Sequence, residues 1–138
     1  EFIYEKTDEY FFGSKHFAAE YRRKQPKHKY IAGVLLDLFA GENATFPMEE
    51  NSLYFAGGVV EDIWRTADQL GVKQFRAVQG GRVDDDHLAL NRVDIPTVDI
   101  IDFDYPHWHR LTDLPEKCSA ESMAAVAKVL TVWLQKLK

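Results

Sequence analysis

Cysteine is nearly missing from this sequence: Cys118 stands alone among 138 residues. One thiol cannot close an internal disulfide, so the small disulfide-stapled class is excluded, although the compartment is not thereby decided. Positive charge is also short. The 17 Lys and Arg against 22 Asp and Glu give a formal charge of −5, which argues against nucleic acid or an anionic membrane as the main partner. No apolar run approaches the roughly 20 residues of a membrane helix. Internal repeats, a Gly-rich phosphate loop, a nucleophile elbow and a His-Glu-x-x-His helix are missing too. What the chain has in quantity is apolar and aromatic surface: 46% hydrophobic residues, with nine Phe, six Tyr and three Trp. That content fits one ordinary globular domain with a core and excludes global disorder. The chain opens on Glu1-Phe2-Ile3-Tyr4 without an initiator Met, as if cut from something longer.

Helix and strand patterns alternate at short intervals. Residues from Tyr10 to about Arg23 read as a helix with Phe12, His16, Phe17 and Tyr21 near a 3.6 period, a basic last turn, and Pro26 as its stop. Tyr30 to Leu36 is almost continuously apolar, the pattern of a strand covered on both faces, and it runs directly into Asp37. A Gly-, Asn- and Pro-containing loop is expected from about Gly41 to Asn51. A helix follows from about Ser52 to Leu70, with Val60, Ile63, Trp64, Ala67 and Leu70 on one stripe, Gly57-Gly58 weakening its first half, and Gly71 as its stop. Phe75 to Val78 and Ile95 to Ile101 read as strands, separated by Asp84-Asp85-Asp86-His87 and a brief helix. Ser119 caps a last helix in which Met123, Val126, Leu130, Trp133 and Leu137 step by three and four. Strands alternating with helices imply an α/β layered domain with a mostly parallel sheet, whose function gathers beyond the carboxyl ends of the strands.

Asp37 lies at such an end. A buried carboxylate there needs a charged partner, hydrogen bonds or a metal, or it simply caps backbone amides of the next loop. The three adjacent aspartates 84–86 repel one another, so either one finds a compensating group or they form the acidic start of the helix near His87. The segment Phe103-Asp104-Tyr105-Pro106-His107-Trp108-His109-Arg110-Leu111-Thr112-Asp113 follows a strand and gathers His, Asp and aromatic residues in a loop. It is either a ligand-facing loop or a surface loop around a packed Trp. His16 and His28 read as non-catalytic. Asp37, Asp85 and His109 all follow strands or strand-like turns, so one cleft can collect them, and carboxylates with an imidazole suit Zn²⁺. Spacing alone does not bring them together.

In this order, Leu35-Leu36-Asp37-Leu38-Phe39-Ala40-Gly41, Asn43-Ala44-Thr45-Phe46-Pro47, Asp85-Asp86-His87 and Trp108-His109-Arg110-Leu111-Thr112-Asp113 resemble the glutaminyl cyclases, members of the zinc aminopeptidase superfamily. Gly13-Ser14-Lys15-His16-Phe17-Ala18 is similar to that family's Gly-Ser-Arg-His-Leu-Ala helix. The resemblance implies a three-layer α/β/α sandwich in which residues 1–138 form the C-terminal half or more of one catalytic domain. It further implies conversion of an N-terminal glutamine to pyroglutamate on a peptide substrate, with His109 as a zinc ligand and Asp37 and Asp85 in an acidic proton-transfer network. Trp108 and Phe103 would line the substrate pocket. Glu1 corresponds to a second zinc ligand by its distance from Gly13, with Glu5 and Glu9 as competitors, while a metal-binding Asp and the catalytic Glu are expected before residue 1. The cyclase reading implies one zinc. The aminopeptidase alternative implies two, with Asp37 on the second, and a third reading is a non-catalytic domain of the same fold. Secreted, periplasmic and cytoplasmic locations all stay open.

Overall fold

The structure, a computed structural model, describes residues 9–137. Its elements in chain order are α1 (Phe12–Lys24), β1 (Gly33–Asp37), β2 (Phe46–Met48), α2 (Glu50–Gln69), β3 (Phe75–Gln79), α3 (Asp86–Asn91), β4 (Thr97–Ile101) and α4 (Ala120–Lys136), with a 3₁₀ turn at Pro115–Lys117. Strands β1 and β4 pair in parallel from Gly33↔Thr97 to Asp37↔Ile101, so their carboxyl ends lie side by side. Strands β2 and β3 also pair in parallel, with a register shift at Pro47/Met48. The α/β class with parallel strands is therefore as the alternation implied.

The period of two along β4 explains the layering. Val98 and Ile100 enter the core with Val60, Ile63, Trp64 and Ala67 of α2 and with Val126, Val129 and Trp133 of α4. Thr97, Asp99 and Ile101 alternate with them, and Asn91 at the end of α3 holds both the N–H and the carbonyl of Thr97. Each fully buried aliphatic side chain contributes on the order of 1.5–3 kcal/mol, so this cluster carries most of the apolar stabilisation. Trp64 satisfies its indole N–H on the carbonyls of Phe46 and Arg76, at 3.0 and 3.1 Å, which ties α2 to β2 and β3.

Three expectations need correction. The strand covered on both faces is β4, whose five residues are all buried; β1 is only half covered, and Tyr30 and Ile31 lie outside it and exposed. Coverage depends on which neighbours pack on a strand, and an apolar run does not specify them. The expected loop from Gly41 to Asn51 contains β2, and α2 starts two residues early, because the Glu49 side chain caps it by accepting from the N–H groups of Asn51 and Ser52. The stripe expected on α1 is largely exposed, with Ala18 its one buried residue. Other details agree. Helix α2 departs from helical geometry at Ala56, beside Gly57-Gly58, and the Ser119 Oγ caps α4 by accepting from Ser122.

A candidate active-site cleft

Asp37 is the last residue of β1, and the chain turns sharply after it because Leu38 takes a left-handed conformation, φ 49°. Asp85 caps the N-terminus of α3, its Oδ1 accepting the Asp86 N–H at 2.6 Å. The loop after β4 supplies Phe103, Trp108 and His109. These five sequence-predicted residues line one cleft of about 650 Å³ beyond the paired ends of β1 and β4, together with Tyr10, Phe11, Leu38, Arg82 and Asp113. That is where an open parallel sheet places a ligand, and the volume suits a small molecule or a peptide terminus.

The walls are built by specific contacts. The Trp108 and His109 rings lie 4.4 Å apart, and Phe103 meets Trp108 edge-on at 6.1 Å. The loop carrying them is tied down where the Tyr105 hydroxyl donates to Asp113 at 2.7 Å and where His107 Nδ1 meets Thr112 Oγ1 at 2.9 Å. Tyr105 also packs where Gly41 leaves room: a Cβ on Gly41 would come within 2.7 Å of its ring. Phe11, Leu38 and His109, all in the cleft wall, are three of the six non-glycine residues with positive φ among the described residues. Each costs on the order of 1–2 kcal/mol, supplied by the packing around it, and such outliers concentrate at functional sites.

Electrostatics distinguish the two cleft aspartates from ordinary surface carboxylates. Burial raises the Asp37 carboxyl above its usual range, and the neighbouring Asp85 charge raises it further; the Leu38 N–H and His109 pull it part of the way back. Asp84 is exposed, so among the three adjacent aspartates it is Asp85 that meets both a helix N-terminus and a partner carboxyl. The cap role is the acidic helix start that one reading of that run expected, while the partner carboxyl adds repulsion instead of a compensating charge.

Glu1 and Glu5 lie outside the described residues, and Glu9 is exposed. His16 and His28 are exposed as well. As donors to zinc, the His109 imidazole and the aspartate carboxylates are of the right kind, but among the described residues no three His, Cys, Asp or Glu side chains cluster to hold a metal ion. They amount to part of a ligand set.

Sequence reasoning missed Glu49 and Asp99 and gave His87 little weight. All three are buried behind the cleft, with His87 Nε2 3.5 Å from Glu49 and Nδ1 3.9 Å from Asp99. Glu49 Oε1 also accepts the N–H groups of Asn51 and Val83, at 2.8 and 2.9 Å, and Oε2 that of Ser52. Burial opposes its ionisation, yet His87 and these three backbone donors outweigh that and hold it at about 2. The available signal was an acidic residue in the middle of an apolar strand, Asp99.

A family model for peptidase family M28 matches residues 3–134. Among solved structures, the chain is similar to the glutaminyl cyclase of Fimbriiglobus ruber, with 46% identity and a TM-score of 0.90 over 95% of this chain and 45% of that one. It is similar to the glutaminyl cyclase of Tannerella forsythia at 30% identity and TM-score 0.86, over 99% and 49%. A Zn-dependent exopeptidase from Parabacteroides distasonis matches at 31% and 0.82, over 94% and 47%. The chain spans about half the length of the proteins it matches.

Proposed function

The chain belongs to peptidase family M28, and from that premise we propose that its cleft serves a zinc-dependent glutaminyl-peptide cyclotransferase, which turns an N-terminal glutamine into pyroglutamate with loss of ammonia. The observation that carries this reading is the Asp37 carboxyl, raised by burial and by Asp85 in the cleft that also holds His109 and Trp108. Two carboxyls side by side in a cleft that also holds an imidazole suit proton transfer. The higher identity to the Fimbriiglobus ruber glutaminyl cyclase than to the Zn-dependent exopeptidase, 46% against 31%, supports the cyclase over a two-metal exopeptidase in which Asp37 binds the second ion.

In this reading the α-amine of the substrate attacks its own γ-carboxamide carbon. A C–N bond forms as the amine gives up a proton, the bond to the amide nitrogen breaks, and that nitrogen takes up a proton to leave as ammonia. Asp37 and Asp85 hold a proton between them beside the reacting nitrogen and exchange it with the group that accepts the amine proton. Trp108 and Phe103 wall the glutamine side chain and limit water, so that hydrolysis does not compete. His109 is one donor toward zinc, and a zinc ion bound there would supply Lewis-acid polarisation of the carboxamide oxygen.

The test is ammonia release from a Gln-initiated peptide, measured with metal content on the protein at its natural length. Turnover with one zinc per chain supports the proposal. Two zincs with hydrolysis of aminoacyl substrates would replace it with an exopeptidase, and absence of zinc with His109→Ala leaving function intact would replace it with a binding domain.

A further inference from the structure

Behind the cleft lies a group of titratable side chains that the proposed reaction leaves unused. Asp99, in the middle of β4, is fully buried; its backbone N–H donates to the Ser52 hydroxyl at 2.9 Å, while neither carboxyl oxygen has a hydrogen-bond partner among the described residues. Both ring nitrogens of His87 are buried in the same condition. Unsatisfied buried polar atoms cost about 1–3 kcal/mol each, so four of them on two side chains, with His87 Nδ1 3.9 Å from Asp99 and Nε2 3.5 Å from Glu49, call for a joint explanation.

Proton inventory supplies it. The Glu49 carboxylate is an acceptor only, already filled by three backbone N–H donors, so the nitrogen facing it, Nε2, must be the one carrying hydrogen. Moving the remaining proton to Asp99 keeps the net charge and avoids burying a further ion pair at 3.9 Å without water, and the imidazole then offers only a lone pair at Nδ1. The group facing Nδ1 is Asp99, and it completes the pair only as a carboxylic acid that donates. We propose that Glu49, His87 and Asp99 form a buried relay in which His87 donates from Nε2 to ionised Glu49 and accepts at Nδ1 from protonated Asp99, making His87 and Asp99 positioning residues for Asp85. The positioning role rests on the cleft reading of Asp37 and Asp85 given above.

The geometry explains how the relay reaches the cleft. His87 is two residues beyond Asp85 in the six-residue α3, so locking its ring between the start of α2 and the middle of β4 locks the turn that carries Asp85. Charge works in the same direction. Burial, together with the charges of Asp85 at the cap of α3, Asp37 at the end of β1, Glu49 at the start of α2 and Asp86 in α3, raises the Asp99 carboxyl to about 8, with His87 Nδ1 3.9 Å from it. A neutral Asp99 spares Asp85 and Asp37 a further negative charge behind them.

Nuclear magnetic resonance on the protein at its natural length tests this without any catalytic assay, so loss of the cyclase reading and loss of the relay are separately visible. At pH 7 the ring nitrogens of His87 are expected to show the Nε2–H form. The Asp99 carboxyl carbon is expected to titrate near pH 8, with the backbone amide of Asp85 showing an inflection at the same pH. Asp99→Asn, whose amide can still donate to Nδ1, should keep the tautomer and lose the inflection; Asp99→Leu should release the tautomer. A doubly protonated or Nδ1–H His87 at pH 7, or an Asp99 carbon titrating below about pH 5, would overturn the proposal. The wild-type spectra decide this even where a variant fails to fold.

Discussion

Two histidines of this chain sit among carboxylates, and almost everything else about them differs. His109 is partly exposed in a loop, in left-handed backbone, its ring tilted against Trp108 and lining an open cleft. His87 is sealed inside, on a short helix, between Glu49 and Asp99. The first is built to meet something that arrives, because it lines an open cleft. The second must find all its partners within the fold, because no water reaches it to replace them. The same residue types thus serve recognition in one place and organisation in the other, and burial is what separates the two.

The comparison is broken most forcefully by removing each imidazole in turn. His87→Ala leaves two buried carboxyls without their shared partner and should cost about 3–5 kcal/mol in urea unfolding. His109→Ala should cost about 1 kcal/mol or less while abolishing any zinc binding it contributes to. Stability losses of equal size for the two variants would show that the distinction drawn from burial is wrong. Next in size is Asp37→Asn, which cannot carry the exchanged proton: ammonia release should fall by about 100-fold or more with unfolding midpoint little changed.

Two pH measurements sharpen the contrast within the buried group itself. Glu49 titrates at about 2 in the folded chain against 4.5 ordinarily. Between those values the unfolded chain binds the extra proton, so stability is present above 4.5 and drains away as pH falls toward 2. Glu49→Gln should cost about 1–3 kcal/mol at neutral pH and flatten that acid slope. Asp99 has the opposite sign, about 8 folded against 3.8. Over that interval the unfolded chain has already released a proton that the folded chain keeps, so stability declines as pH rises from 3.8 to about 8. Asp99→Asn should remove this decline, and an unchanged profile would remove Asp99 from the list of protonated groups.

How much of this was readable beforehand follows from what each residue depends on. Asp37 was legible because it ends an apolar run, and Ser119 because a hydroxyl before a periodic stripe has one common use. Phe103, Trp108 and His109 stood out as an aromatic and imidazole-bearing loop after a strand. Glu49 was not legible: glutamate is an uncommon N-cap, and its second task, receiving Val83 from a segment over thirty residues away, has no local trace. Asp99 was visible as a charge within a strand, but its partner on α3 depends on how that helix packs. The three-residue β2, with Pro47 in its middle, is too short to show a period.

One consequence of the half-covered β1 concerns handling rather than chemistry. Among the described residues, β4 is the only strand paired with β1, so its other edge presents unpaired backbone N–H and C=O groups next to the exposed side chains of Tyr30, Ile31 and Leu36. An apolar edge of this kind is a template for a strand from another chain. Self-association of the isolated 138 residues should therefore increase with concentration, and Ile31→Lys should delay it in light scattering without altering the cleft.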